Sequence, residues 1–291
     1  MSGFGNIREY VLALTDQGKY WISTFRKVPA ATATVTGQWY DYSYASGNPI
    51  PNYYAASPLV AATLESDKGI IVPRMATGDK QYLHRFSLMS SGGTSSTQPI
   101  FLLDYLLYYP FVDMDAAGED QTMDPVVSLP RYTDGIGLQM MVVAQSGTVG
   151  GGMFTITYTD SDDVQRTTIS MFCGAAQPSG AIVSAVLATG GLTPFVPLQA
   201  GVKGIKRVDS VNFSVANGGL CVVVLVRPLD VSQTLETCAA STGTAVEKEA
   251  LRLRGGLVEI KDGAFLGFIG QGVAGSLASS PLVGTIETVW G

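Results

Sequence analysis

Charged residues are scarce. Asp, Glu, Lys and Arg make up 14% of the 291 residues, against 46% hydrophobic residues, whereas about a quarter of a soluble domain is usually charged. Such a low-charge surface suits a chain whose faces are covered by neighbours in an assembly. A sandwich with loops rich in Ser, Thr and Gly would have the same composition. Positive charge is the scarcer kind, with 18 Lys+Arg against 24 Asp+Glu and a net charge of −6. Nucleic-acid binding calls for a basic stripe. The one basic cluster, Lys203, Lys206 and Arg207, is small and lies beside a predicted strand. It reads as a solvated face or a protein contact, and no nucleic-acid partner is expected.

Histidine occurs once, as His84. That count excludes a zinc site built from several histidines. With no GxSxG motif and no nearby Cys partner, it also argues against a Ser–His or Cys–His hydrolase. The three cysteines, Cys173, Cys221 and Cys238, form no CxxC and are odd in number, so neither a disulfide framework nor a zinc site is expected. The most apolar window, Pro99–Phe111, contains Asp104 and Pro110 and is shorter than the roughly 20 residues of a membrane helix. No basic segment followed by an apolar stretch opens the chain, so a signal peptide is not expected. No membrane partner, cofactor or metal is assigned.

What is present reads as strands. Phe154–Leu229 organises the rest. Apolar and Thr positions alternate on both sides of the acidic turn Asp160, Asp162, Asp163, as in a hairpin buried on one face. A Pro-rich link then feeds an alternating strand, and Asn217-Gly218-Gly219 turns into the apolar strand Leu220–Val226. Further strands are predicted at Gln38–Tyr44, Gly69–Pro73, Tyr82–Met89, Gly137–Ala144, Val258–Lys261, Ala264–Ile269 and Leu282–Trp290. Ile100–Val112 fits a buried strand or a short helix by its apolar run, and its tyrosines and Pro110 favour strand. Asn48–Pro58 and Asp113–Pro130 read as loops, and Ala245–Arg254 as a short helix.

Near the N-terminus, Tyr10, Val11, Leu14, Trp21, Ile22 and Phe25 fall on one face at helical spacing. This predicts an amphipathic helix over residues 7–27, capped by Asn6 with Glu9 in the capping-box position and ended by Pro29. Those six residues are the candidate interface. The expected domain division is a helical arm at 1–29, joined by the small-residue linker 30–37 to a sandwich over 30–291. Short period-2 runs without strand–helix alternation give the fold class: mainly β, a jelly-roll-like β-sandwich with an N-terminal amphipathic helix.

Several motifs invite chemistry. Gly270-Gln271-Gly272-Val273-Ala274-Gly275 matches GxGxxG, but a dinucleotide site needs a following helix inside a βαβ unit, so it reads as a glycine loop. Asp160, Asp162 and Asp163 could supply calcium ligands, and they are also ordinary turn residues. Asp104, Asp113, Asp115, Glu119 and Asp120 supply carboxylates of the type a glycosidase pairs across a cleft; solvated loop acids are the plainer reading. Tyr40, Tyr42, Tyr44, Tyr53 and Tyr54 would stack on sugars if exposed, or form a buried aromatic stripe if not.

The order of motifs carries a resemblance. GFGNIREY stands at 3–10, Gln38-Trp39 and Leu83-His84-Arg85 follow, and SLPRYTDG stands at 128–135. A hairpin with TYT at 157–159 and Arg166 precedes PFVPLQAG at 194–201, GIKRV at 204–208, VVVLVRPL at 222–229 and KDGAFLGF at 261–268. In this order the chain resembles a family of tailed-bacteriophage virion structural proteins, β-sandwich accessory proteins of the particle. The resemblance implies a non-enzymatic capsid decoration (cement) protein. It would assemble in the host bacterial cytoplasm into the virion as a homo-oligomer, a trimer, against the major capsid protein or other virion proteins. The alternative is a receptor- or glycan-binding module of a head or tail fibre, and a third reading is a virion-associated hydrolase. The resemblance carries no catalytic or binding residue onto this chain.

Overall fold

A computed structural model describes residues 3–29, 37–76, 78–91, 98–183, 193–234, 237–238, 246–249, 257–271 and 281–291. After the helix α1 (Ile7–Thr15) the chain is built of strands. In order they are β1 (Tyr20–Val28), β2 (Trp39–Asp41), β3 (Ser46–Asn48), β4 (Ala62–Thr63), β5 (Gln81–Ser91) and β6 (Gln98–Asp113). Then come β7 (Asp120–Thr122), β8 (Gln139–Ala144), β9 (Gly152–Asp160), β10 (Gln165–Thr167), β11 (Met171–Cys173) and β12 (Ile205–Phe213). The last are β13 (Leu220–Thr234), β14 (Thr237–Cys238), β15 (Val246–Glu249), β16 (Val258–Ile260), β17 (Phe265–Gln271) and β18 (Leu282–Trp290). The fold is mainly β, with antiparallel sheets packed as a sandwich and one short N-terminal helix, as expected.

The central sheet runs β2-β17-β6-β13-β8, with β4 on β6. Its spine is the long ribbon of β6 and β13. Between Val226 and Leu225, and again between Val223 and Cys221, this ribbon skips a residue on β6. Each such bulge turns the following side chains to the other face and bends the strand. One half of β6 therefore packs Ile100 and Leu102 against Phe25, Leu83, Phe86 and Ile286 of the first sheet, which runs β14-β5-β18-β1-β3. The other half packs Leu106, Tyr109 and Val112 against Phe154, Ile156, Val208, Val211 and Phe213 of a third sheet, ordered β10-β9-β12-β7. The remaining face of the central sheet buries Leu103 and Tyr105 with Trp39, Tyr54 and Leu64. A strand buried on both faces has no reason to alternate. That is why Ile100–Val112 gave no period in the sequence, although it is a strand throughout.

The organising hairpin is present: β9 and β10 pair antiparallel with Thr159 opposite Gln165 and Thr157 opposite Thr167. Five expectations are corrected. The N-terminal helix stops at Thr15 rather than reaching residue 27. Gly18, at φ +63°, turns the chain, and Lys19 N donates back to Ala13 O at 3.0 Å. Trp21, Ile22 and Phe25 then lie on β1, which pairs with β18 from Tyr20 to Lys27, so residues 20–28 are a strand of the first sheet and not helix. Aromatic and β-branched residues favour that extended state. Residues 246–249, expected within a helix, are strand β15 against β5. Gly69–Pro73 makes only an isolated bridge, Ile70 to Leu266. The strand expected over Gln38–Tyr44 ends at Asp41 and passes into a 3-10 turn. Finally, the acidic loop 113–130 contains β7. Most of the proposed linker and the end of the glycine loop, residues 30–36 and 272–275, lie outside the described residues.

Candidate interaction surface

Two clusters of buried polar side chains tie loops and α1 to the sheets. Asp41 lies at the end of β2, with no exposed surface. Its Oδ1 accepts from Ser43 N at 2.9 Å and from Tyr105 Oη at 2.8 Å. Its Oδ2 accepts from Ser43 Oγ at 2.9 Å and from Tyr54 Oη. Burial raises the Asp41 carboxyl, and these four donors act against the rise. Their own burial, and then the same carboxylate, hold the phenols of Tyr54 and Tyr105 well above the usual range. Close by, Lys27 of β1 is 3% exposed. Its Nζ donates to Ala45 O at 3.0 Å and reaches Ser43 O and Ile50 O at 3.5 Å. Burial pushes the Lys27 amine down to about 8, with the Asp41 charge opposing. Together these contacts pin the loop 41–54 to the sheets.

The single histidine belongs to a second cluster. His84 Nδ1 meets Tyr10 Oη of α1, and its Nε2 lies 3.9 Å from Glu287 Oε2. Arg85 and Tyr20 also donate to Glu287, at 2.6 and 2.5 Å. Burial and the Glu287 carboxylate push Tyr20 up to about 12. This cluster ties α1 to the first sheet, where Tyr10 and Ala13 pack on Val289. At the helix start, Asn6 Oδ1 accepts from Glu9 N at 3.0 Å. Glu9 reaches back to Gly5 N at 2.7 Å, close to the capping box read from the sequence.

The acidic residues serve local turns and ion pairs. Asp104 is buried on β6 against Arg131. Asp113 and Asp115 hold turns through Asp115 N and Gly218 N, and Asp120 accepts from Asn212. In the hairpin, Asp160 Oδ1 accepts from Asp162 N at 2.8 Å and Val164 N at 3.0 Å, and its Oδ2 accepts from Arg166 at 3.0 Å. Those donors hold the Asp160 carboxyl below its ordinary value. Asp163 pairs with Lys206 at 2.7 Å, and Arg207 with Asp209 at 2.8 Å, so two members of the basic cluster are matched by acids. Of the tyrosines proposed to stack on sugars, Tyr40, Tyr42 and Tyr54 are buried and Tyr44 is half-buried, while Tyr53 is exposed.

The six candidate interface residues do not form one face. Phe25 is in the core between the first and central sheets, Tyr10 is buried under α1, and Leu14 is half-buried. Val11, Trp21 and Ile22 are exposed. The structure brings Trp21 and Ile22 together with Ile50 and Ile71 in a groove of about 420 Å³ beside β1. These four are 45%, 50%, 70% and 66% exposed. Asn48, Pro49, Asp67 and Ile70 complete its walls. Ser23 Oγ, donating to Ile71 O, fixes one wall to the strand. Large apolar side chains clustered at a groove mark an interaction surface more than scattered ones do. Sequence reading found Trp21 and Ile22 but missed Ile50 and Ile71, which lie in loops without periodicity. It also missed Lys27, Asp41 and Arg131. Only Asp41 had a visible signal, as a lone acid inside the aromatic run WYDYSY.

No family model matches the sequence, and no curated protein matches it. Two solved structures align with it. One is the human polyomavirus 7 VP1 pentamer, at 9% identity over 94% of this chain and 94% of that chain, with a TM-score of 0.23. The other is a mutant VP2 protein of infectious bursal disease virus in T=1 particles, at 9% identity over 93% of this chain and 77% of that chain, with a TM-score of 0.19. Both alignments fall well short of the similarity of a shared fold.

Proposed function

We propose that the chain is a non-enzymatic structural protein of a tailed-phage virion, a decoration protein that stabilises the shell through oligomeric contacts. The observation that carries this reading is the exposed apolar groove at Trp21, Ile22, Ile50 and Ile71, on a chain with only 14% charged residues. An apolar surface of this kind fits a contact between proteins. Asp104, Asp113, Asp115 and Asp120 are engaged in an ion pair and in local hydrogen bonds, and His84 in holding α1. The motif order shared with virion proteins adds the particle as the setting. Partners in this reading are further copies, as a trimer, and the major capsid protein.

The fibre reading, a receptor- or glycan-binding module, called for an exposed tyrosine platform, and most of those rings are packed inside. Quantitative mass spectrometry of purified parent particles separates the two. A decoration protein is present at a copy number comparable to the shell protein. A fibre module is present at a small fraction of it, and that result would overturn the decoration reading.

A further inference from the structure

Strand β1 is paired along nearly its whole length on one side and along only three residues on the other. β18 pairs with Tyr20 through Lys27, while β3 pairs with Arg26, Lys27 and Val28 alone. From Trp21 to Phe25 the outer side of β1 is therefore a sheet edge. Two contacts show which backbone groups it presents. Asn48 Nδ2 donates to Thr24 O at 3.4 Å. The Arg26 carbonyl faces Gly47 so closely that a Cβ there would lie 2.0 Å from it. Thr24 and Arg26 thus turn their peptide groups away from β18. Backbone groups alternate sides along an antiparallel strand, so Ile22 does the same. Among the described residues, Ile22 N–H, Ile22 C=O and Thr24 N–H have no backbone partner.

This edge is the floor of the apolar groove. Its free donors and acceptors repeat at every second residue, a spacing that an extended backbone matches. The side chains around it lie on both sides of the strand plane, with Ile22 on one and Trp21 on the other. Asp67 is the one charged residue lining the groove, so an acidic segment is disfavoured and a basic residue near the rim is matched. The walls at Pro49–Ile50 and 67–71 flank the edge. The same edge of a second copy would have to bring its own walls in with it.

We propose that this groove is a strand-acceptor site. It receives an extended, apolar, non-acidic peptide segment of another protein chain, added beside β1 as a further strand of the first sheet. The proposal does not depend on the virion reading. It is tested by hydrogen exchange, read by NMR, on the full chain with the capped hexapeptide acetyl-KTVTVT-amide as probe. In the free chain the amides of Ile22 and Thr24 exchange fast, while those of Ser23 and Phe25, turned to β18, are protected. Peptide protects Ile22 and Thr24. Thr24→Pro removes the outward N–H and leaves the β18 ladder intact, and it weakens binding at least about tenfold. Ile71→Asp, at an exposed wall position, weakens it similarly and serves if the proline variant does not fold. The proposal is overturned if Ile22 and Thr24 are already protected in the free chain, if millimolar peptide protects neither, or if both variants bind as the parent does. Protection that grows with protein concentration instead of peptide, with dimers in sedimentation, assigns the groove to a second copy and equally overturns it.

Discussion

Arg131 sets its guanidinium fork on Asp104, with Nε 3.0 Å from Oδ2 and the second nitrogen 2.8 Å from Oδ1. The pair sits inside the protein, with the Asp104 side chain at 0% exposure and that of Arg131 at 7%. Arg131 also donates to Tyr105 O at 2.8 Å, and Phe265 N donates to Asp104 at 3.1 Å. Burial pushes Asp104 up to about 6, and the Arg131 fork acts against the rise. It joins the segment at 131 to β6 and β17. Arg131→Leu leaves a buried carboxylate without its counter-ion. The expected loss is about 3–5 kcal/mol, read from the urea midpoint. A loss below 1 kcal/mol would show the pair to be hydrated instead.

Phe25 and Trp21 separate the strand from the helix that the sequence suggested. Phe25 is 2% exposed and packs on Phe268 with ring centroids 4.9 Å apart. Phe25→Ala should cost about 3–5 kcal/mol. Trp21→Ala, at a half-exposed groove position, should cost less than about 1 kcal/mol. Thermal melts of the two variants check this. Equal losses would place both side chains in the core and remove the groove.

Lys27 gives the protein an alkaline signature. Folding moves its amine from 10.5 to about 8. Between those values the unfolded chain binds more protons than the folded one, so stability rises with pH through that window. The gain is at most about 3 kcal/mol. Tyr20 and Tyr109 work the other way. Both are pushed up to about 12, so their contribution is intact below pH 10 and is lost as the pH climbs towards 12. Urea midpoints from pH 7 to 10 should rise in the parent and stay flat in Lys27→Met. Parallel curves would contradict the account.

The Asp41 hub can be tested one hydroxyl at a time. Tyr54→Phe or Tyr105→Phe each leaves the buried carboxylate short of a donor. Each should cost about 1–3 kcal/mol and loosen the loop 41–54, seen as faster hydrogen exchange at Asn52, whose N–H is bonded to Ser43 O. Unchanged exchange in both variants would show that Lys27 alone holds the loop.

The sequence revealed some of this and concealed the rest for physical reasons. Strands with one wet face, β5 and β9, alternate and were readable. β6 was ambiguous because it is buried on both faces and changes register at bulges. The segment 20–28 misled because Trp21, Ile22 and Phe25 also satisfy helical spacing, and the turn at Gly18 carries little weight in a periodicity argument. Asn6 and Glu9 announced the start of α1 correctly. The groove was half legible. Trp21 and Ile22 stood out as large apolar residues, but only tertiary structure brings Ile50 and Ile71 beside them and leaves the edge of β1 unpaired.

The central claim is that the chain binds and stabilises a viral shell. Its most direct test is reconstitution: purified protein is added to parent particles prepared without it, and the temperature of shell disruption is measured. The account predicts saturable binding at many sites and a higher disruption temperature, both weakened by Trp21→Asp in a variant that still melts as the parent does. Particles that neither bind the protein nor change their disruption temperature would contradict it.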